Sequence, residues 1–156
     1  TMTTSLPVKG RLVGIDFGTV RIGIAISDAE HRLASPYENY TCRDREADGR
    51  YFVELIAAEN VVGFVIGLPV HGSGEESAKS LEAREFGRWL ASITDLPVTF
   101  YDERYTTAQA EQLLNTAELT SKRRKKRLDM VAAQIILASY LESSGEDQGV
   151  PPPLDH

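Results

Sequence analysis

Three places in this chain put a carboxylate where burial would otherwise exclude one. Asp16 closes an apolar run, Leu12 to Asp16, that reads as a strand. The pair Asp102-Glu103 ends a second strand-like run, and Asp129 interrupts the apolar stripe of a long helical stretch. An ionised carboxylate at the end of a buried strand costs several kcal/mol unless a metal, a donor or water receives it. Gly14 and Gly18 flank Asp16 and keep side-chain bulk away from it. An isolated D-x-G of this kind would read as a turn cap. Three acids at element ends, without accompanying histidine or cysteine, instead suit a hard, oxygen-seeking cation such as Mg²⁺ or Mn²⁺. Two such ions can activate a water and stabilise the leaving oxygen of an in-line phosphoryl displacement. Asp102 and Glu103 are neighbours on a strand and point to opposite faces, so only one of them can aim inward.

A second feature stands beside the third acid. The run Lys122-Arg-Arg-Lys-Lys-Arg127 carries six positive charges in a chain of net charge −6, so the remainder sits at −12. On a helix, Lys122, Lys125 and Lys126 share the face of Asp129. A basic strip leading to a carboxylate site suits an enzyme that tracks phosphates, whereas a random basic run is usually a solvated face. Asp28 either assists the site or simply ends its strand. His71 reads as a solvated loop histidine and Trp89 as core. No H-E-x-x-H, C-x-x-C or G-x-x-x-x-G-K pattern occurs.

The elements that must hold these groups follow from periodicity. Two strands flank the turn Phe17-Gly18-Thr19, and a third, residues 33–42, contains Pro36 and so belongs at a sheet edge. A helix over 43–59 stops at Asn60. Residues 61–68 form an almost continuous apolar run ended by Pro69, the pattern of a strand buried on both faces. Ser73 and Glu76 fit a capping box for a helix reaching Thr94, and Thr106 and Gln109 fit another for a short helix. A strand over 97–102 and a helix over 120–142 complete the order. Short links imply antiparallel hairpins and helical links imply parallel crossovers. The expected fold is α/β: a five-stranded mixed sheet, three antiparallel strands then two parallel, with helices on both faces.

At 156 residues the chain is one domain's worth, with apolar and charged fractions ordinary for a globular protein. The expected division is an arm over 1–9, a domain over 10–142 and a disordered tail over 143–156. No apolar run is long enough to cross a bilayer. Cys42 is the sole cysteine, which excludes an internal disulfide and suits the cytoplasm. The acidic balance alone speaks against a general nucleic-acid binder.

Four motifs then point one way. They are D-x-G-x-x-R-x-G-x-A-x-S-D at Asp16 to Asp28, V-I-G-L-P at Val65 to Pro69, D-E-R-x-T-T at Asp102 to Thr107, and D-x-x-A-A-x-x-I-L at Asp129 to Leu137. In this order and spacing they resemble the YqgF family, also called RuvX, over roughly residues 10–142. The resemblance implies a ribonuclease-H-like fold and a metal-dependent nuclease that matures the 16S ribosomal RNA precursor, with the precursor particle as a further partner. It makes Asp16 the central ligand, selects Glu103 over Asp102 as the second and adds Asp129 as the third. It also gives Arg21 a phosphate contact and keeps Asp102, Arg104 and Asp28 as secondary candidates. In a related resolvase layout the second acid lies on the strand next to the first, but here that strand ends Gly67-Leu68-Pro69. Glu103 must then reach across about two inter-strand spacings, on the order of 10 Å, over the bare Gly67. The alternative within the class is a Holliday-junction resolvase, which would dimerise to cut two strands; the chain is a monomer or a homodimer. Outside the class stand an actin-like ATP-dependent phosphotransferase, suggested by Asp16-Phe-Gly-Thr, and a non-catalytic RNA-binding assembly factor.

Overall fold

The computed structural model describes residues 6–69, 77–106 and 121–146, with the backbone alone at 121–129 and 144–146. Its strands are β1 (Arg11–Asp16), β2 (Arg21–Ser27), β3 (Ala34–Thr41), β4 (Val61–Leu68) and β5 (Val98–Asp102). Its helices are α1 (Arg45–Glu59), α2 (Ala78–Thr94) and α3 (Ser121–Glu146), and one 3₁₀ turn, Glu103–Tyr105, follows β5. The five strands form one sheet in the order β3-β2-β1-β4-β5. β1 pairs antiparallel with β2 and β2 with β3, while β4 lies parallel to β1 and β5 parallel to β4. The expected mixed sheet is therefore present, with Pro36 on an edge strand and the apolar β4 inside.

Strand alternation divides the core in two. Val13, Ile15, Phe64 and Ile66 face α1 and α2, where they meet Phe52, Phe86 and Leu90. Leu12, Ala25 and Val65 face the other way and meet Ala133, Ile136 and Leu137 of α3. Full burial of side chains such as Phe52, Phe64 and Leu137 stabilises by about 1.5–3 kcal/mol each. α3 sits close because Gly14 offers no side chain. A Cβ there would come 2.7 Å from Cβ of Leu137 and 3.0 Å from the Ala133 carbonyl.

The helix ends are set by local chemistry. Asp44 caps α1 by accepting from the Ala47 N–H at 2.8 Å, and Asn60 ends it in the left-handed conformation. α2 begins later than the proposed box implies. Ser77, not Ser73, is its cap, accepting from the Ser80 N–H at 3.0 Å. Ser73 and Glu76 lie outside the described residues, as do Gln109 and the short helix expected after Thr106. Two expectations for the termini also change. Leu6 is buried against Leu12 and Gly63, while residues 7–9 are exposed. α3 runs on to Glu146 and takes in the first four residues of the expected tail.

Candidate active site

Asp16 stands at the C-terminal end of β1, directly opposite Gly23 of β2. The parallel register puts it beside Gly67 of β4, one step after the Ile15–Ile66 pair. Gly14, Gly23 and Gly67 lie around Asp16 on the sheet face that carries α3, with Leu137 of α3 packed over Gly14 and Ile136 over Gly67. Arg21 shares that face by alternation and is exposed at the start of β2.

Glu103 reaches this face from two strands away. β5 is displaced from β1 by the whole of β4, yet a Cβ built on Gly67 would lie 2.7 Å from Oε2 of Glu103. The same atom would collide with Ile136 of α3. The Glu103 carboxylate therefore rests over Gly67, half-buried, in space that any larger residue would fill. Desolvation by burial raises its pKa above the ordinary carboxylate value, the negative charge of Asp102 adds to that rise, and Lys79 opposes it.

Asp102 turns the other way. It is buried, and its Oδ1 caps the 3₁₀ turn by accepting from the Arg104 N–H at 2.9 Å. The Arg104 guanidinium also donates to it from Nε at 2.9 Å and from Nη2 at 2.5 Å. This carboxylate is charge-paired with one arginine within the chain. This fork also fixes the turn that aims Glu103 at Gly67. Asp129 lies on α3 one helical turn ahead of Ala133, whose carbonyl approaches Gly14. Its side chain lies outside the described residues, as do those of Lys122, Lys125 and Lys126 in the first turns of α3. Among the described residues, no three acidic, histidine or cysteine groups cluster tightly enough to hold a metal alone. Asp16 and Glu103 are hard oxygen donors of the kind that Mg²⁺ or Mn²⁺ takes.

Residues 10–143 match the sequence profile of a family described as RuvX, Holliday junction resolvase. The chain belongs to the RuvX family. Among curated RuvX-like relatives, a protein of Rhodopirellula baltica is 44% identical over 92% of this chain and 83% of its own length. One from Koribacter versatilis is 35% identical over 92% of this chain and 94% of its own. Both carry the name "Putative pre-16S rRNA nuclease". The RuvX fold is shared with solved resolvases. Thermus thermophilus RuvC bound to a Holliday junction superposes with a TM-score of 0.56 at 13% identity, covering 88% of this chain and 97% of RuvC. The fowlpox virus resolvase–junction complex gives 0.55 at 12%, covering 86% and 98%.

Within this RuvX chain, Asp28 is not near Asp16. Its carboxylate accepts from the Arg32 and Leu33 N–H groups at 2.8 and 2.9 Å, at the far end of the β1–β2 ladder. Those bonds, that of Leu33 foremost, hold its pKa below the ordinary range. It ends its strand, which is the plainer of the two readings offered for it. The Asp102–Arg104 fork had no signal in spacing alone, because D-x-R at a strand end fits equally well a solvated pair. Gly23 was legible only as part of a motif; the β1–β2 register gives it a place beside Asp16. A cavity of about 320 Å³ lined by Phe17, Thr19, Arg43, Arg45 and Trp89 opens on the opposite, α1–α2 side of the sheet. Among the described residues, no helix is long and apolar enough to cross a membrane.

Proposed function

We propose that this RuvX-family chain is a metal-dependent nuclease that hydrolyses phosphodiester bonds of structured RNA, the 16S rRNA precursor being its substrate. The observation that carries the reading is the Glu103 carboxylate lying over Gly67, on the face that Asp16 and α3 share. Asp16 and Glu103, with Asp129 from α3, would hold Mg²⁺ or Mn²⁺. When bound, the metal supplies Lewis-acid activation of water and charge neutralisation at the scissile phosphate. The chain supplies the rest. Gly23, opposite Asp16, adds no side chain beside that acid. Arg21, on the same face, and the lysines at the start of α3 orient the phosphates on either side. The remaining expectations form part of the same proposal: a nuclease domain over 10–142, a cytoplasmic protein and the precursor particle as a partner. The test is cleavage of labelled pre-16S rRNA by purified protein with Mg²⁺, and again with excess chelator. Cleavage that persists undiminished in chelator overturns the metal-dependent mechanism.

The family description and the resolvase-like fold favour one second reading, a Holliday-junction resolvase. It would cut a four-way DNA junction symmetrically and require a dimer. Solution mass, measured alongside cleavage of a labelled junction and of pre-rRNA, separates the two.

A further inference from the structure

The turn that carries Glu103 also holds out an aromatic ring. Tyr105 is 61% exposed, the most exposed aromatic among the described residues. A single exposed tyrosine is unremarkable in itself. Two things single this one out, the rigidity of its mount and its position.

The backbone of Tyr105 is fixed from the core outward. The Tyr101 ring packs edge-on against Tyr140 of α3, at 6.4 Å between centroids. The Tyr101 hydroxyl then donates to the Tyr105 carbonyl at 2.9 Å. The Thr106 N–H donates to the Glu103 carbonyl at 3.3 Å, closing the 3₁₀ turn. On the other flank, the Arg104 guanidinium sits 5.8 Å from the Tyr105 ring centroid and is anchored by Asp102. An exposed ring on a fixed backbone beside an arginine plane is what base stacking requires, because little ordering is lost on binding. At roughly 2 Å of rise per residue, Tyr105 lies about 4 Å along the turn from Glu103. The two side chains leave the turn about 120° apart, a gap that one nucleotide of a strand whose phosphate is metal-bridged to Glu103 would span.

We propose that Tyr105 is a stacking platform for one unpaired nucleobase of single-stranded RNA, the base adjoining the scissile phosphate. This rests on the nuclease reading above and adds the form of substrate the site accepts. A base inside a duplex arm has both faces covered and cannot use the platform.

The experiment measures equilibrium binding in the full-length Glu103→Gln background with Mg²⁺, so that affinity is read without turnover. The probes are a labelled oligouridylate and an abasic ribose–phosphate chain of equal length. Tyr105→Phe keeps the ring and should bind oligouridylate within about twofold of its parent. Tyr105→Leu and Tyr105→Ala should bind on the order of 5- to 150-fold more weakly. The slope of log affinity against log salt should stay unchanged, since no phosphate contact is lost. On the abasic chain all four proteins should bind alike. Equal affinity of Tyr105→Ala and its parent for oligouridylate overturns the proposal, as does a loss that persists on the abasic chain. A parent that binds neither probe overturns the single-strand platform, and cleavage of pre-16S rRNA by the wild-type protein tests the nuclease reading separately. A parent that binds both while Tyr105→Ala is unaffected removes only the platform.

Discussion

Gly67→Ala tests the reach of Glu103 directly. The new methyl group would lie 2.7 Å from Oε2 of Glu103, against 3.4 Å for ordinary contact, so the oxygen must retreat by about 0.7 Å. It would also meet Ile136, with Cγ1 at 3.0 Å and Cδ1 closer still. Overpacking of that kind costs roughly 1–3 kcal/mol. For a domain of this size the melting temperature should fall by on the order of 3–10 °C. A ligand misplaced by close to 1 Å loses up to about a hundredfold in rate, so cleavage should fall about ten- to a hundredfold. The two losses have different sources and can be separated. In Gly67→Ala/Ile136→Val the Ile136 Cδ1 atom is gone, so part of the stability should return, while the Glu103 oxygen is still displaced and cleavage stays low. The assays are metal-free thermal melts and Mg²⁺-dependent cleavage of pre-rRNA on the same preparations. A Gly67→Ala protein that melts lower but cleaves at the wild-type rate would refute the placement of Glu103 in the site.

Three further outcomes are expected. Burial raises the folded-state pKa of Glu103 above its ordinary 4.5, so the metal-free fold is most stable below that value and loses stability as pH rises through the raised pKa. Glu103→Gln removes that loss, and urea denaturation should show the variant gaining on wild type from pH 4.5 towards neutrality; a constant difference across pH contradicts this. Asp16→Asn keeps the side chain's shape and should fold normally, with cleavage at background, because an amide oxygen is a poor substitute for a central anionic ligand. Circular dichroism and the nuclease assay check both halves. Replacing Lys122, Lys125 and Lys126 with alanine should weaken binding to any RNA and flatten its log–log salt dependence by about 0.7 to 0.9 per lost contact. An unchanged slope, read from titrations at several salt concentrations, would make the run an ordinary solvated face.

The sheet was legible because its signals are local and strong. Alternation in Ile22–Ile26, Pro36 at an edge and the unbroken apolar run of β4 each admit few arrangements. The helix stop at Asn60 was equally plain, since asparagine tolerates the left-handed conformation. What failed was the choice among equivalent polar residues. Ser73 with Glu76 fits the capping box, whereas Ser77, followed three residues on by Ser80, is the cap in use, its hydroxyl also donating to the Pro69 carbonyl. The division of labour between Asp102 and Glu103 was likewise hidden. Alternation says that they diverge, but which one faces α3 depends on the β4–β5 register, a long-range fact. Leu6 lay in a segment without periodicity, so its burial against the sheet left no trace in spacing.

The clearance above Gly67 separates where a charge must be from which strand must supply it. A side chain grown from residue 67 would begin 2.7 Å from the oxygen that Glu103 now places there from the end of the neighbouring strand. An acid on β4 and an acid beyond β5 are therefore alternative routes to one coordinate, and each excludes the other by volume. A lineage could move from one to the other by opening a glycine on β4 as the outer acid arrives, leaving Asp16 and the third ligand untouched. The same exchange is open to a protein engineer. Glu103→Gln combined with Gly67→Asp, and with Ile136 trimmed to make room, would transplant the second carboxylate onto the strand beside Asp16 without altering the sheet.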